Sequence, residues 1–165
     1  MSDDNLKWCL KQKRGIRIIE PNPNLTKAYL KKAISALNTM TAAAKIYETD
    51  WILTTAYYAR YFALYALLMK IGIKSEIHDC TINIAKLLAD NGILTQNLVE
   101  DIAKAKQTRI DTQYYVEPQQ TPKTIQRNIE SARKFVLETE KTIENITTEQ
   151  INAIRNQLKK LQTTT

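Results

Sequence analysis

The sequence predicts an all-α protein, an antiparallel up-and-down bundle of four to five helices with a short C-terminal helix. Three observations carry that expectation. Apolar residues recur at spacings of three and four through most of the chain, the period of a helix with one buried face. Only 3 Gly and 4 Pro occur in 165 residues, too few to supply the turns and bulges of an all-β fold. Capping residues stand where the periodic segments begin, and Gly72 and Gly92 where two of them end. With 44% hydrophobic and 25% charged residues, the composition is that of one ordinary globular domain.

Residues 1–23 read as an N-terminal arm, 24–146 as the bundle core, and 147–165 as a C-terminal helix and tail. The arm holds a short amphipathic piece near Leu6 to Leu10. The run Ile16, Ile18, Ile19 follows and ends at two prolines, and residues before proline avoid helical angles, so this run is read as extended over the bundle. Asn24 is placed as N-cap of a helix to about Tyr47, with Leu30, Ala33, Ile34, Leu37, Thr41 and Ala44 as its buried stripe. Thr49 or Asp50 opens the next helix, which Gly72 ends as a left-handed C-terminal residue. Its stripe Trp51, Thr55, Tyr58, Phe62, Tyr65, Met69 is the strongest periodicity in the chain. A second stripe, Ala56, Ala59, Ala63, Ala66, is all small and lets a neighbour approach closely. This is the expected central helix.

Ser75 is read as the start of a third helix, closed at Asn91-Gly92. Thr95 caps a fourth, with Leu98, Ile102, Ala105 and Arg109 on one line. A tyrosine-rich break, QYYVEPQQTP, separates it from a fifth, which starts at Thr121-Pro122 and carries Ile125, Ile129, Ala132, Val136 and Ile143. Thr147 to Gln150, TTEQ, form a capping box for the last helix, which runs to about Leu161. No internal repeat or low-complexity segment is visible.

The formal net charge of +7 is compatible with an anionic partner, whether RNA, nucleotide, membrane surface or acidic protein. The basic residues are dispersed and form no tail. The N-terminus opens acidic and polar, MSDDN, unlike a signal peptide. The most apolar stretch, Ala56 to Met69, contains Arg60 and four tyrosines and is not read as a membrane span. The cytoplasm is therefore the expected compartment. There, Cys9 and Cys80 are expected as buried free thiols, with a long-range disulfide as the alternative. With one histidine they cannot build a zinc site at normal spacing, and neither metal nor cofactor is expected. Phosphate loops, GxSxG and HExxH motifs are missing, and Cys80 and His78, two apart, point away from each other on a helix. Nothing reads as a standard enzyme.

Arg109 is the most informative residue. It continues an apolar stripe, so its guanidinium must be paired or face a cleft or interface. On spacing alone the better reading has it reaching the bundle end and pairing with Asp101, Asp111 or Glu117. Tyr57, Tyr58, Tyr61, Tyr65, Tyr114 and Tyr115 are six of the 8 tyrosines. Such a cluster is more often packing than a binding platform, yet buried hydroxyls need partners. Tyr58 or Tyr61 could therefore bond Arg109 or Asp111. His78, near a helix start, could hold an anion with Lys74, though simple packing there is commoner.

Taken together, AYYARYFALYALLMKIGIKSEIH (Ala56 to His78) and TRIDTQYY (Thr108 to Tyr115) resemble the HEPN family. The likeness covers about Leu25 to Asn145, each piece moderately specific and the ordered set more so. It implies a helical bundle that homodimerises, with arginines of both protomers lining a shared cleft. Some family members are metal-independent ribonuclease toxins pairing an arginine with a histidine four to six residues later. Others are binding partners of a separate minimal nucleotidyltransferase, and in toxin–antitoxin pairs that transferase adenylylates a HEPN tyrosine. This chain departs from the ribonuclease pattern, because Tyr114 stands five residues after Arg109 and no histidine follows. A tyrosine is a poor general base near neutral pH. The resemblance therefore implies a nucleotide- or RNA-binding partner of a nucleotidyltransferase, with Arg109, Asp111, Tyr114, Tyr58, Tyr61, His78 and Lys74 as ligand-binding residues. Tyr114 and Tyr115 are the residues available for modification. A degenerate ribonuclease using Arg109 is the alternative, and a structural helical adaptor the third reading.

Overall fold

The computed structural model describes residues 3–116 and 120–164. Seven helices are present among them: α1 (Asp3–Lys11), α2 (Pro23–Lys45), α3 (Thr49–Ile71), α4 (His78–Asp90), α5 (Gln96–Tyr114), α6 (Pro122–Asn145) and α7 (Thr148–Thr163). Two three-residue strands, β1 (Ile16–Ile18) and β2 (Ile73–Ser75), pair antiparallel with Ile16 opposite Ser75 and Ile18 opposite Ile73. The all-α bundle expected from the sequence is what the structure shows.

α3 is the central helix, packed along α2 and also against α5 and α6. It is buried on nearly every side, as a helix apolar all round must be. All four alanines of its small stripe have no exposed surface. Met40 and Ala43 of α2 meet Ile52 and Ala56 of α3 and Ile129 and Ala132 of α6 in one apolar cluster. Local signals fix the ends. Thr95, Thr121 and Thr147 each accept a backbone N–H three residues on, and Thr147 with Gln150 completes the capping box. Gly72 ends α3 at φ 82°, the left-handed conformation a side chain resists. Arg155 of α7 donates through Nη1 to the carbonyls of Ile71 and Gly72 at that end, and to Ile19 at 2.6 Å.

Several expectations are corrected. The amphipathic piece of the N-terminal arm is the helix α1, packed on α4 and α7, and its extended run, rather than simply lying over the bundle, is β1 paired with β2. α2 is capped by Asn22, not Asn24, with Pro23 in its first turn. Its buried stripe is Ala33, Ala36, Met40 and Ala43, whereas Ile34 is 48% exposed. Close packing against α3 selects small residues, which a reading weighted toward large ones overlooks. Trp51, first in the strong α3 stripe, is exposed. Ser75 lies in β2, and α4 begins at His78. Cys9 and Cys80 are disulfide-bonded, not free, because α1 folds back over α4 and brings their Cα atoms within 5.6 Å. The α3 face of Tyr57, Tyr61, Leu64 and Leu68 is buried within the chain.

Arg60 is also fully buried. Its guanidinium bonds Asp101 of α5 through Nε at 2.6 Å, and the Oδ1 and carbonyl of Asn128 of α6 at 3.0 and 3.2 Å. Ser131 donates to the same Asp101 carboxylate. This network ties α3, α5 and α6 beneath the site described next. No helix among the described residues is long and apolar enough to cross a membrane.

Candidate functional site

α3 and α5 lie side by side, and the turn through β2 brings His78, the first residue of α4, onto Tyr57 and Tyr61 of α3. That arrangement gathers Tyr57, Tyr58 and Tyr61 of α3, His78 of α4 and Arg109 of α5 into one cluster. The Arg109 guanidinium lies 5.0 Å from the Tyr57 ring centre and 5.7 Å from that of Tyr58, a cation held on aromatic faces. Its Nη1 donates to Tyr58 Oη at 3.4 Å and to Gln113 Oε1 at 3.0 Å. Its Nε is buried and has no hydrogen-bond partner. Arg109 makes no ion pair among the described residues. Of the carboxylates expected to pair with it, Asp101 is taken by Arg60 and Asp111 accepts from Gln107 at 2.7 Å. Glu117 lies outside the described residues.

His78 stacks on Tyr61 with ring centres 4.3 Å apart and planes 7° from parallel. Its Nδ1 is 2.5 Å from the Tyr57 hydroxyl. Tyr57 has no exposed surface, and burial, reinforced by Tyr61, pushes its hydroxyl far above the usual tyrosine range. Tyr57 therefore stays protonated, and His78 Nδ1 is its one acceptor among the described residues. Nδ1 accepts, which assigns the proton of the neutral ring to Nε2. Burial, then the positive charges of Arg109 and Lys106, hold the His78 pKa below its usual value, against the smaller opposing effect of Asp79. At neutral pH the ring is uncharged, and its Nε2–H is a donor without a protein partner among the described residues. Arg109 and His78 thus present donors and no free base.

The other residues singled out from the sequence lie apart from this cluster. Lys74, in β2, sits 3.7 Å from Glu76 and does not join His78. Its place near the ring is taken by Lys106, one turn before Arg109, which pairs with Asp79. Thr81, rather than Arg109 or Asp111, is the polar neighbour that acts on the Tyr61 hydroxyl. Tyr114 and Tyr115 end α5 and are strongly exposed. They line a groove with Thr49, Asp50, Leu53 and Asp111, where α3 starts and α5 ends. The sequence reading named Tyr57 in the tyrosine cluster but gave it no site role, and gave none to Lys106 or Gln113. Tyr57 carries a signal, since it lies in the same tyrosine run; Gln113 carries one only as the residue four on from Arg109.

The HEPN domain model matches residues 26–143, well over half of the chain. This protein belongs to the HEPN family. The matched span runs from the first turn of α2 to the end of α6 and contains every member of the Arg109–His78 cluster. Membership supports a nucleotide- or RNA-related function. No curated protein matches the chain. The imidazole near Arg109 is that of His78 on α4, while Tyr114 stands five residues after Arg109 on α5. No group of three or more His, Cys, Asp or Glu side chains among the described residues could hold a metal ion.

Proposed function

We propose that this HEPN protein is the nucleotide- or RNA-binding subunit of a separate minimal nucleotidyltransferase, with Arg109 as its phosphate anchor. One observation carries the reading: Arg109 has no carboxylate partner and keeps a buried, unused Nε–H. A phosphate oxygen supplies the missing counter-charge, because guanidinium and phosphate match in charge and donor geometry. The Nε2–H of His78 is a second donor for the same anion. Two protomers would double the anchor in the shared cleft that HEPN homodimers form.

In a toxin–antitoxin or defence pair, the transferase would modify Tyr114 or Tyr115, the exposed phenols at the end of α5. The phenolic oxygen attacks the α-phosphorus of ATP, pyrophosphate leaves, and the phenolic proton passes to solvent. The test is anisotropy of labelled RNA and of labelled ATP with wild type and Arg109→Ala, EDTA present. Loss of the anchor is expected to weaken binding about ten- to a hundredfold, the worth of a charge-assisted hydrogen bond. Mass spectrometry after incubation with the transferase and ATP reads the modification. Equal binding by both proteins, with neither complex nor modified tyrosine, removes this reading.

A metal-independent ribonuclease is the second reading, favoured by the placement of His78 beside Arg109. It requires RNA cleavage in EDTA that disappears in both Arg109→Ala and His78→Ala. Against it, the Tyr57 hydroxyl occupies Nδ1, the lone pair a base would use.

A further inference from the structure

Beside Arg109, the groove where α3 begins and α5 ends has features that a phosphate anchor does not use. Trp51 is 60% exposed and Tyr114 72% exposed, an unusual state for rings of this size. They flank a hollow whose other walls are Asp50, Thr54, Thr112 and Gln113. Two exposed aromatic rings beside polar side chains suit a flat ring with hydrogen-bonding edges. A partner protein's apolar helix suits it less, since it would bury the Asp50 carboxylate without a partner.

The hollow adjoins the anchor. Gln113, in its wall, accepts the Arg109 Nη1 bond, and Tyr58, one helical turn beyond Thr54, accepts the other. Asp50 in its wall repels phosphate and accepts amino groups, as acidic side chains do from bases, while Arg109, behind Gln113 and outside the lining, attracts phosphate.

We infer that this hollow is a nucleobase subsite: a base stacks on Trp51 and Tyr114 with its edge toward Asp50 and Thr54, and its phosphate reaches Arg109. The inference rests on Arg109 as phosphate anchor and adds that the ligand is held by its base as well as its phosphate. The base belongs either to single-stranded RNA or to a free nucleotide.

Trp51 itself reports the contact. Trp8, 53% exposed on α1, is replaced in a Trp8→Phe background, leaving Trp51 as the sole indole. That protein is titrated with AMP, with an oligoadenylate, and with an abasic ribose-phosphate oligomer of equal length. The oligoadenylate is expected to quench Trp51 and to bind about tenfold tighter than the abasic strand, the usual size of one stacking contact. Trp51→Ala and Tyr114→Ala, both at exposed positions, should each abolish that advantage by anisotropy, while Tyr114→Phe, which keeps the ring, should retain it. Quenching by AMP at comparable affinity identifies a free nucleotide as the source, and quenching by the strand alone identifies RNA. Abasic strand binding as tightly as oligoadenylate, with Trp51 emission unchanged, overturns the subsite and leaves the phosphate anchor standing if Arg109→Ala still weakens both. Failure of every ligand to bind overturns both readings.

Discussion

The tautomer of His78 is the most exposed consequence of this geometry, and the chain has a single histidine to report it. The structure assigns a neutral ring with the proton on Nε2 and Nδ1 accepting from Tyr57. Tyr57→Phe deletes one hydrogen bond that favours the neutral ring and changes little else in shape. A neutral hydrogen bond contributes about 0.5–1.5 kcal/mol net, and one pKa unit corresponds to about 1.4 kcal/mol. The His78 pKa should therefore rise by roughly half a unit to one unit in the variant, undoing part of the downward shift. Nitrogen-15 NMR of the one imidazole reads both quantities, tautomer from the two nitrogen shifts and pKa from their titration. The same shift has a stability consequence. The folded protein takes up the imidazole proton less readily than the unfolded chain, so stability is full above about pH 6.5 and falls as the pH drops toward the lower folded value. Wild type carrying its proton on Nδ1, or titrating at or above the ordinary histidine value, would refute the reasoning.

Two further outcomes test the framework under the site. Arg60→Ala strands Asp101 and Asn128 in a partly buried network and should cost about 3–5 kcal/mol in urea unfolding; a loss below about 1 kcal/mol would mean that the network contributes little. The Cys9–Cys80 bridge spans 71 positions, so Cys9→Ala with Cys80→Ala should cost roughly 4 kcal/mol by loss of chain restriction, read as a lower midpoint in the same assay. An unchanged midpoint would place the stapling of α1 elsewhere.

What the sequence made legible was local. Thr95, Thr121, Thr147 and Gly72 announce helix ends because a cap acts on residues three or four positions away, within reach of any reading by eye. The β1–β2 pair was invisible, since its strands are three residues long and 55 positions separate Ile18 from Ile73. Cys9 and Cys80 were read as thiols because pairing depends on α1 folding back over α4, a contact no spacing records. Arg60 was noticed only as a charge interrupting an apolar run. Its partners lie 41 and 68 residues away, and position in the chain says nothing of them. For the candidate site, Arg109 stood out because it broke a stripe, and His78 because it was alone. Their meeting depends on the return of α4 to α3. Lys74 was chosen by nearness in sequence, whereas the structure brings Lys106.

The two buried-facing arginines explain why Arg109 carries the functional argument. Arg60 is 1% exposed and every part of its guanidinium is answered, by one carboxylate, one amide and two backbone carbonyls. A folding chain leaves a guanidinium so enclosed only when its donors are matched, since the desolvation cost is otherwise several kcal/mol. Arg109 sits two turns beyond Asp101 on α5 and is treated differently. The carboxylate that could have reached it is committed to Arg60, Asp111 turns to Gln107, and what remains is two π faces, a phenol and an amide. These are neutral partners that hold the cation in place without cancelling its charge. The arrangement fixes a positive charge beside a groove and keeps it available, which is the electrostatic requirement of a phosphate anchor. Had Arg109 been a structural residue, the same bundle had acidic side chains within a turn or two on α5 with which to neutralise it.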